Sequence, residues 1–334
     1  MRYVILGAGA IGGALGARLV EAGHEVALLA RGEHARVMRR DGLHVQVPDR
    51  TLHVRPAVVD DPAELGLRGD DVLVLAVKSQ QTEALLDAVA GLPVSGGGVA
   101  ADDLPIISAQ NGVANEDVLL RRFARVYGTC VMCPAEQLEP GLVVASGGPF
   151  TGAFDTGRYP HGVDDVAETF ARDVAASTCI AAARPDIMRW KYAKLLRNLA
   201  NALDALLGAD LDDDARAVAD GIAGRARDEA LACFEAAGVD HVGDDEWRDY
   251  RFGRIAPQPI DGRARSGSST WQSVTRGTGN VEVDYLNGEI VLLGRRHGLS
   301  TPVNLTLQRE VNAVSARGGR PGELTAGDLL DRVP

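Results

Sequence analysis

The run VILGAGAIGG near the start of the chain sets Gly7, Gly9 and Gly12 between an apolar stretch, Tyr3 to Leu6, and a helical pattern carried by Leu15, Leu19 and Val20. A strand that turns within a few residues into a helix commits this segment to the first half of a β-α-β unit. Gly7 permits the tight turn, Gly9 leaves bare backbone where a pyrophosphate approaches, and Gly12 lets the helix lie close on the sheet. The stretch containing Gly7, Gly9, Ala10, Ile11 and Gly12 therefore predicts a phosphate-binding loop, with free N–H donors and partial positive charge at the helix N-terminus. Glycines at this spacing also occur in ordinary turns; the strand before and the helix after favour a dinucleotide.

The next strand, Glu25 to Leu29, decides which dinucleotide. Sites that prefer NAD carry Asp or Glu at the end of this strand to hold the ribose 2′-hydroxyl. Here the sequence is Leu28, Leu29, Ala30, Arg31. A guanidinium suits a 2′-phosphate through charge-assisted forked hydrogen bonds, so the expected cofactor is NADP(H). The competing reading makes Arg31 one more solvated arginine.

Strand patterns at Val72 to Val77, Pro105 to Ser108 and Tyr127 to Met132 alternate with helical ones, which predicts a doubly wound parallel sheet covered on both faces. Gly141 to Ala145 and Phe150 to Phe154 read as a hairpin at the sheet edge. After Cys179 to Ala182 the pattern turns helical. From Asp186, a candidate N-cap, an unbroken helix is expected as far as Gly208, followed by helices over Arg216 to Ala237, over Val283 to His297, and from Pro302. A chain of 334 residues exceeds the usual size of one core. The predicted class is α/β, with a Rossmann-type domain over residues 1–184 and an all-helical domain over 185–334. His241 to Arg265 reads as a linker or a rim of the active site.

The chain carries 35 Lys and Arg against 46 Asp and Glu, a net charge of −11. That balance argues against a nucleic-acid partner and requires local positive groups to hold anionic ligands. No stretch approaches the ~20 consecutive apolar residues of a membrane helix, and the glycine-rich start is not a secretion signal, so a cytoplasmic location without a membrane partner is expected. Four cysteines, at 130, 133, 179 and 233, fit a reducing compartment. Cys130 and Cys133 form a CxxC, but no second such pair and no ligand-like histidine spacing accompany it. Core thiols and no metal are expected.

Ligands of open parallel sheets bind beyond the carboxyl ends of the strands, which directs attention to Lys78, directly after DVLVLAV, and to Asn111 in SAQNGV. Taken singly, each also reads as a snorkelling lysine or a turn asparagine. A third element is the helix bearing Lys194, Asn198 and Asn201, whose offsets of four and seven place them on one face with Lys191 nearby. The plain alternative is the wet face of an amphipathic helix. Glu282 in VEVDYLNG offers a carboxylate near a helix start, and Ser268 and Ser269 offer hydroxyls in a flexible polar stretch.

These blocks together resemble the ketopantoate reductases (2-dehydropantoate 2-reductases) over nearly the whole chain: GAGAIGG, Arg31, VKSQQT around Lys78, QNG at Asn111, WKYAKLLRN around Lys194, SSTWQ at Ser269 and EVDYLNG from Glu282. The resemblance implies a Rossmann-type NADP domain, an all-helical domain and an active site in the cleft between them. It implies that Lys194 is the general acid, that Glu282 positions substrate and cofactor, and that Asn198 and Ser269 bind a small 2-keto acid. Arg31, Lys78 and Asn111 match the family's cofactor contacts. Two positions depart from its pattern. Ala202 stands where a second asparagine is usual, with Asn201 one place earlier as its substitute, and Ser273 stands where an acidic residue is usual. A reductase of another 2-keto or imino acid and a non-catalytic NADP-binding regulatory protein therefore stay open. So does Lys191 as the acid. The apolar faces of the later helices suit closing one subunit or pairing two, which leaves a homodimer open.

Overall fold

The computed structural model describes residues 1–251, 253–262, 267–277 and 279–334. Its strands are β1 (Arg2–Leu6), β2 (Glu25–Leu29), β3 (Leu43–Val47), β4 (Arg50–Val54), β5 (Ala57–Val59), β6 (Asp71–Leu75), β7 (Pro105–Ser108), β8 (Arg125–Met132), β9 (Ala135–Glu139), β10 (Leu142–Ala145), β11 (Gly147–Pro149), β12 (Ala153–Arg158) and β13 (Ile255–Pro257). Contacts divide the chain into two compact units. The first holds Met1–Asn111, Asn115–Lys191 and Gly243–Arg265; the second holds Gly112–Ala114, Tyr192–Val242 and Ser266–Pro334.

The first unit is built on a seven-stranded sheet of order β12-β8-β7-β6-β1-β2-β5, parallel except for β12, which runs antiparallel to β8. Alternate residues of β1 enter opposite cores, Tyr3 and Ile5 on one face, Val4 and Leu6 on the other, as the period of two requires. Its helices are α1 (Ala10–Glu21), α2 (Gly32–Asp41), α3 (Thr82–Val89), α4 (Ala100–Asp103), α5 (Asn115–Leu120) and α6 (Asp165–Ala175). The expected doubly wound sheet is present.

The expected hairpin is not. Leu142–Ala145 joins a second, four-stranded sheet of order β4-β3-β10-β9, in which β10 pairs in parallel with β3, while Ala153–Arg158 closes the main sheet beside β8. Between them β11 pairs antiparallel with β13, drawn from more than a hundred residues later. The stretch from His241 is accordingly no linker: α10 (Asp244–Arg251) and β13 belong to the first unit, and its residues 252 and 263–265 lie outside the described residues.

The remaining helices are α7 (Ile187–Asn198), α8 (Asn201–Leu207), α9 (Asp213–Ala237), α11 (Ser269–Thr275), α12 (Asn287–His297), α13 (Pro302–Ala316) and α14 (Ala326–Arg332). In the second unit α8, α9, α13 and α14 enclose a core that includes Leu203, Leu206, Ile222, Leu307, Val311 and Leu329. Gly238 and Gly298 end α9 and α12 in the left-handed region, at φ 64° and 70°, and Pro302 opens α13 at its first turn. Two expected continuous helices are interrupted, the first at Leu199–Ala200 and the second at Leu286, which separates a 3-10 turn over Val283–Tyr285 from α12. No helix among the described residues is long and apolar enough to cross a membrane.

Candidate active site

The glycine loop fits a pyrophosphate. Gly7 has φ +107°, and a Cβ there would stand 2.6 Å from Val77 Cγ1. A Cβ at Gly12 would collide with the Gly7 carbonyl and with Ile5 Cγ2, so the helix can start this close to the sheet only on glycine. Gly9, the N-cap of α1, differs: the nearest atom to a Cβ there is Gln137 Oε1 at 3.9 Å. The space is open just where bare backbone should meet phosphate. Ala10 and Ile11, the next two residues, are half-buried in the first turn of α1, which carries no acidic side chain to repel an anion.

Arg31 is exposed at the N-cap of α2, two residues beyond β2, and no carboxylate intervenes. Lys78 and Asn111 are half-buried and follow β6 and β7. Buried amides and hydroxyls tie their loops together. Gln110 Nε2 donates to the Val77 carbonyl at 2.8 Å and to Thr82 Oγ1 at 2.9 Å; Thr82 Oγ1 donates to Asn115 Oδ1 at 3.0 Å; Asn115 Nδ2 donates to Ser79 Oγ at 3.0 Å. Sequence patterning does not reveal this network, although Gln110 stands within QNG and Ser79 and Thr82 within VKSQQT.

Lys191 adds to the same loop. Only 3% exposed, its ammonium donates to the Gln110 carbonyl at 3.0 Å and lies 2.5 Å from the carboxylate of Glu116, which is fully buried. Both of these contacts are with main-sheet loops and helices, and they employ the charge that a general acid would have to offer to substrate.

In the second unit Lys194 and Asn198 are half-buried and four residues apart on α7, hence on one helical face. Asn201 lies beyond the interruption, as the first residue of α8, so wheel geometry does not carry over to it. Tertiary contact places it instead: Asn201 Nδ2 lies 3.5 Å from Ser269 Oγ, and Ser268 Oγ donates to the Asn201 carbonyl at 3.2 Å. Ser268 is the N-cap of α11 and Ser269 its first residue, so the supposed flexible stretch is an ordered helix start. Ala202 is buried in the helical core, and Ser273 Oγ donates to the Ser269 carbonyl at 2.8 Å. Glu282 is half-buried at the N-cap of the 3-10 turn, which is fastened to α13 by Gln308 and Asn312 donating to Asp284 at 2.7 and 2.8 Å. Gly112 packs on the same turn: at φ +78° its missing Cβ would lie 2.9 Å from the Tyr285 carbonyl. Among the described residues no group of three or more His, Cys, Asp or Glu could hold a metal ion.

Comparison with known proteins covers both halves of the chain. The family model described as ketopantoate reductase PanE/ApbA matches residues 3–160, and that of its C-terminal part matches residues 186–315. A 2-dehydropantoate 2-reductase of Halobacterium salinarum is 31% identical, over 92% of this chain and 96% of its own length. One of Pyrococcus horikoshii is 28% identical, over 96% of this chain and 99% of its own. Among solved structures, a ketopantoate reductase of Ralstonia eutropha superposes with a TM-score of 0.76 at 28% identity, covering 95% of this chain and 99% of that one. D-mandelate dehydrogenase with NADH and anilino(oxo)acetate gives a TM-score of 0.79 at 21% identity with the same coverage, which shows a shared fold.

Proposed function

Because the chain belongs to the ketopantoate reductase family, and is thus an oxidoreductase, we propose that it reduces a 2-keto acid with NADPH, the first substrate to consider being 2-dehydropantoate. What carries this reading is the match of both family models, one to each half of the chain, to residues that include the glycine loop and the Lys194 helix. The first unit supplies the dinucleotide site. Gly7, Gly9, Ala10, Ile11 and Gly12 take the pyrophosphate, Arg31 takes the 2′-phosphate, and Lys78 and Asn111 hold the nicotinamide side.

When bound, reduced nicotinamide supplies the hydride that adds to the carbonyl carbon of the keto acid. Lys194 hydrogen-bonds the carbonyl oxygen as an ammonium and gives it the proton, so one keto acid, one NADPH and one proton become a 2-hydroxy acid and NADP+. The positive charge is in place before negative charge develops on that oxygen. Asn198, Asn201 and Ser269 hold the acid, and Glu282 orients it. The second unit thus provides the substrate groups.

A second reading within the same family is favoured by Ala202 and Ser273. The first is sealed in the core and the second has its hydroxyl on a backbone carbonyl. Neither provides the polar group usual there, which suits a keto acid with fewer hydroxyls. The deciding experiment follows NADPH absorbance with a panel containing 2-dehydropantoate, branched aliphatic 2-keto acids and an aryl glyoxylate, repeated with NADH. Highest kcat/KM for 2-dehydropantoate with NADPH is expected. A preference for another acid selects the second reading, and tight NADPH binding without turnover of any acid overturns both in favour of a regulatory protein.

A further inference from the structure

His34, in the first turn of α2, is half-buried with both ring nitrogens engaged. The Gly141 N–H donates to Nδ1 at 2.9 Å, and Nε2 lies 2.8 Å from the Ala8 carbonyl. A nitrogen that accepts from a backbone N–H carries no proton, and a nitrogen facing a carbonyl must carry one. The two contacts therefore fix the neutral ring with its hydrogen on Nε2. Burial also lowers the pKa of this histidine, in keeping with a neutral ring.

The two backbone groups that the ring joins come from unrelated places. Ala8 sits between Gly7 and Gly9 in the phosphate loop; Gly141 is the turn between β9 and β10 in the smaller sheet. Gly141 is itself held on its other side, where its carbonyl accepts from the His44 N–H at 2.9 Å. It has φ +80°, and a Cβ there would collide with Val37 of α2, so this turn is built to fit the helix that carries His34. The hairpin also overhangs the loop. Gln137 on β9 is the nearest side chain to the open space at Gly9, and Gly13 of α1 faces Val143 of β10.

We propose that His34 is a positioning residue for the cofactor, bracing the Ala8 carbonyl against the β9–β10 turn so that the Gly7–Gly12 loop keeps its N–H groups aimed at the pyrophosphate. It rests on the NADP(H) reading above. Without the brace, the loop must be ordered at the moment of binding, and the cost appears in cofactor affinity rather than in the chemical step.

The test measures NADPH binding directly, by fluorescence titration, for the unaltered chain, for His34→Leu, which fills the space without hydrogen bonds, and for His34→Gln, whose amide can accept and donate as the imidazole does. His34→Leu should bind NADPH about tenfold more weakly and show a matching rise in KM for NADPH. Its kcat at saturating NADPH and its KM for keto acid should stay within about twofold, and His34→Gln should recover most of the affinity. Unchanged NADPH affinity in a folded His34→Leu chain overturns the proposal, as does a loss confined to kcat. If His34→Leu does not fold, the Gln variant decides: near-native affinity supports the brace and a tenfold loss with native melting overturns it. Failure of the unaltered chain to bind NADPH would instead remove the NADP(H) reading itself.

Discussion

Lys191 and Lys194 are one helical turn apart, and the buried ion pair of Lys191 gives the different roles proposed for them a test. Removing the Lys191 ammonium leaves the Glu116 carboxylate buried without its counter-ion, which costs about 3–5 kcal/mol. That is a large share of the ~5–15 kcal/mol that typically holds a domain together. Lys191→Met should therefore show a markedly lower denaturation midpoint, and adding Glu116→Leu should restore most of it. Lys194→Ala should melt and bind NADPH much like the unaltered chain yet turn over about 10²- to 10⁴-fold more slowly, the usual contribution of a positioned acid. The reverse pattern, native stability with lost turnover in Lys191→Met, would make Lys191 the acid. His34 adds a pH dependence of definite sign. Its folded pKa lies below the ordinary value of 6.5 because burial outweighs the hydrogen bond to Ala8. As pH falls below 6.5, the unfolded chain takes up a proton that the folded chain refuses, so stability present at neutral pH is lost until the folded pKa is passed. Melts of the unaltered chain and of His34→Gln, compared at neutral and mildly acid pH, should differ by that loss.

At the scale of elements, the interruption between α7 and α8 sets which residues share a helical face with Lys194. Its cause lies 88 residues away. The Leu203 N–H bonds the Ala200 carbonyl, and the Leu199 carbonyl that it leaves is taken by Asn287 Nδ2 at 3.2 Å. The same Nδ2 donates to Asn304 Oδ1 at 3.0 Å, while Asn304 Nδ2 donates to the Ala226 carbonyl and to Glu229, so the break is wired into three further helices. A helical count along WKYAKLLRNLANAL detects Lys194 and Asn198 on one face because both belong to α7. It cannot detect the break, since nothing local forbids helix at Leu199 and Ala200. For the same reason the strand, turn and helix around Gly7 to Gly12, set by a motif within six residues, were legible, whereas the small sheet, which needs Leu142 to find His44, was not. Asn287→Leu should remove the donor from two buried acceptors at about 1–3 kcal/mol each, lowering the midpoint of chemical denaturation. The same variant should raise KM for keto acid through the displaced Asn201; an unchanged midpoint would show that the break is intrinsic to α7–α8.

For the molecule as a whole, order along the chain does not follow the two units. The backbone leaves the first unit at Asn111, returns at Asn115, leaves again at Lys191 and returns from Gly243 to Arg265. The residue pattern turns helical near residue 184 and so suggests a cut there, yet the first unit draws two needed parts from later in the chain. One is Lys191, the counter-ion of Glu116. The other is the α10–β13 segment: Tyr250 Oη donates to Asp155 Oδ1 at 2.7 Å, Trp247 and Tyr250 pack on Trp190 at ring separations of 6.2 and 4.8 Å, and β13 completes the pairing of β11. Asp155 is wholly buried and, among the described residues, keeps the Ala182 N–H and Arg184 once Tyr250 is gone. A fragment of residues 1–184 thus retains every strand of the main sheet but loses the cation that faces Glu116, a donor to Asp155, and the buried rings of Trp190, Trp247 and Tyr250. Each such buried ring contributes about 1.5–3 kcal/mol through the apolar surface it takes out of water. Against a domain stability of ~5–15 kcal/mol, the fragment should not unfold cooperatively by circular dichroism, though it contains the complete glycine loop. A 1–184 fragment that melts as sharply as the full chain would mean that Lys191 and the returning segment are dispensable to the unit they complete.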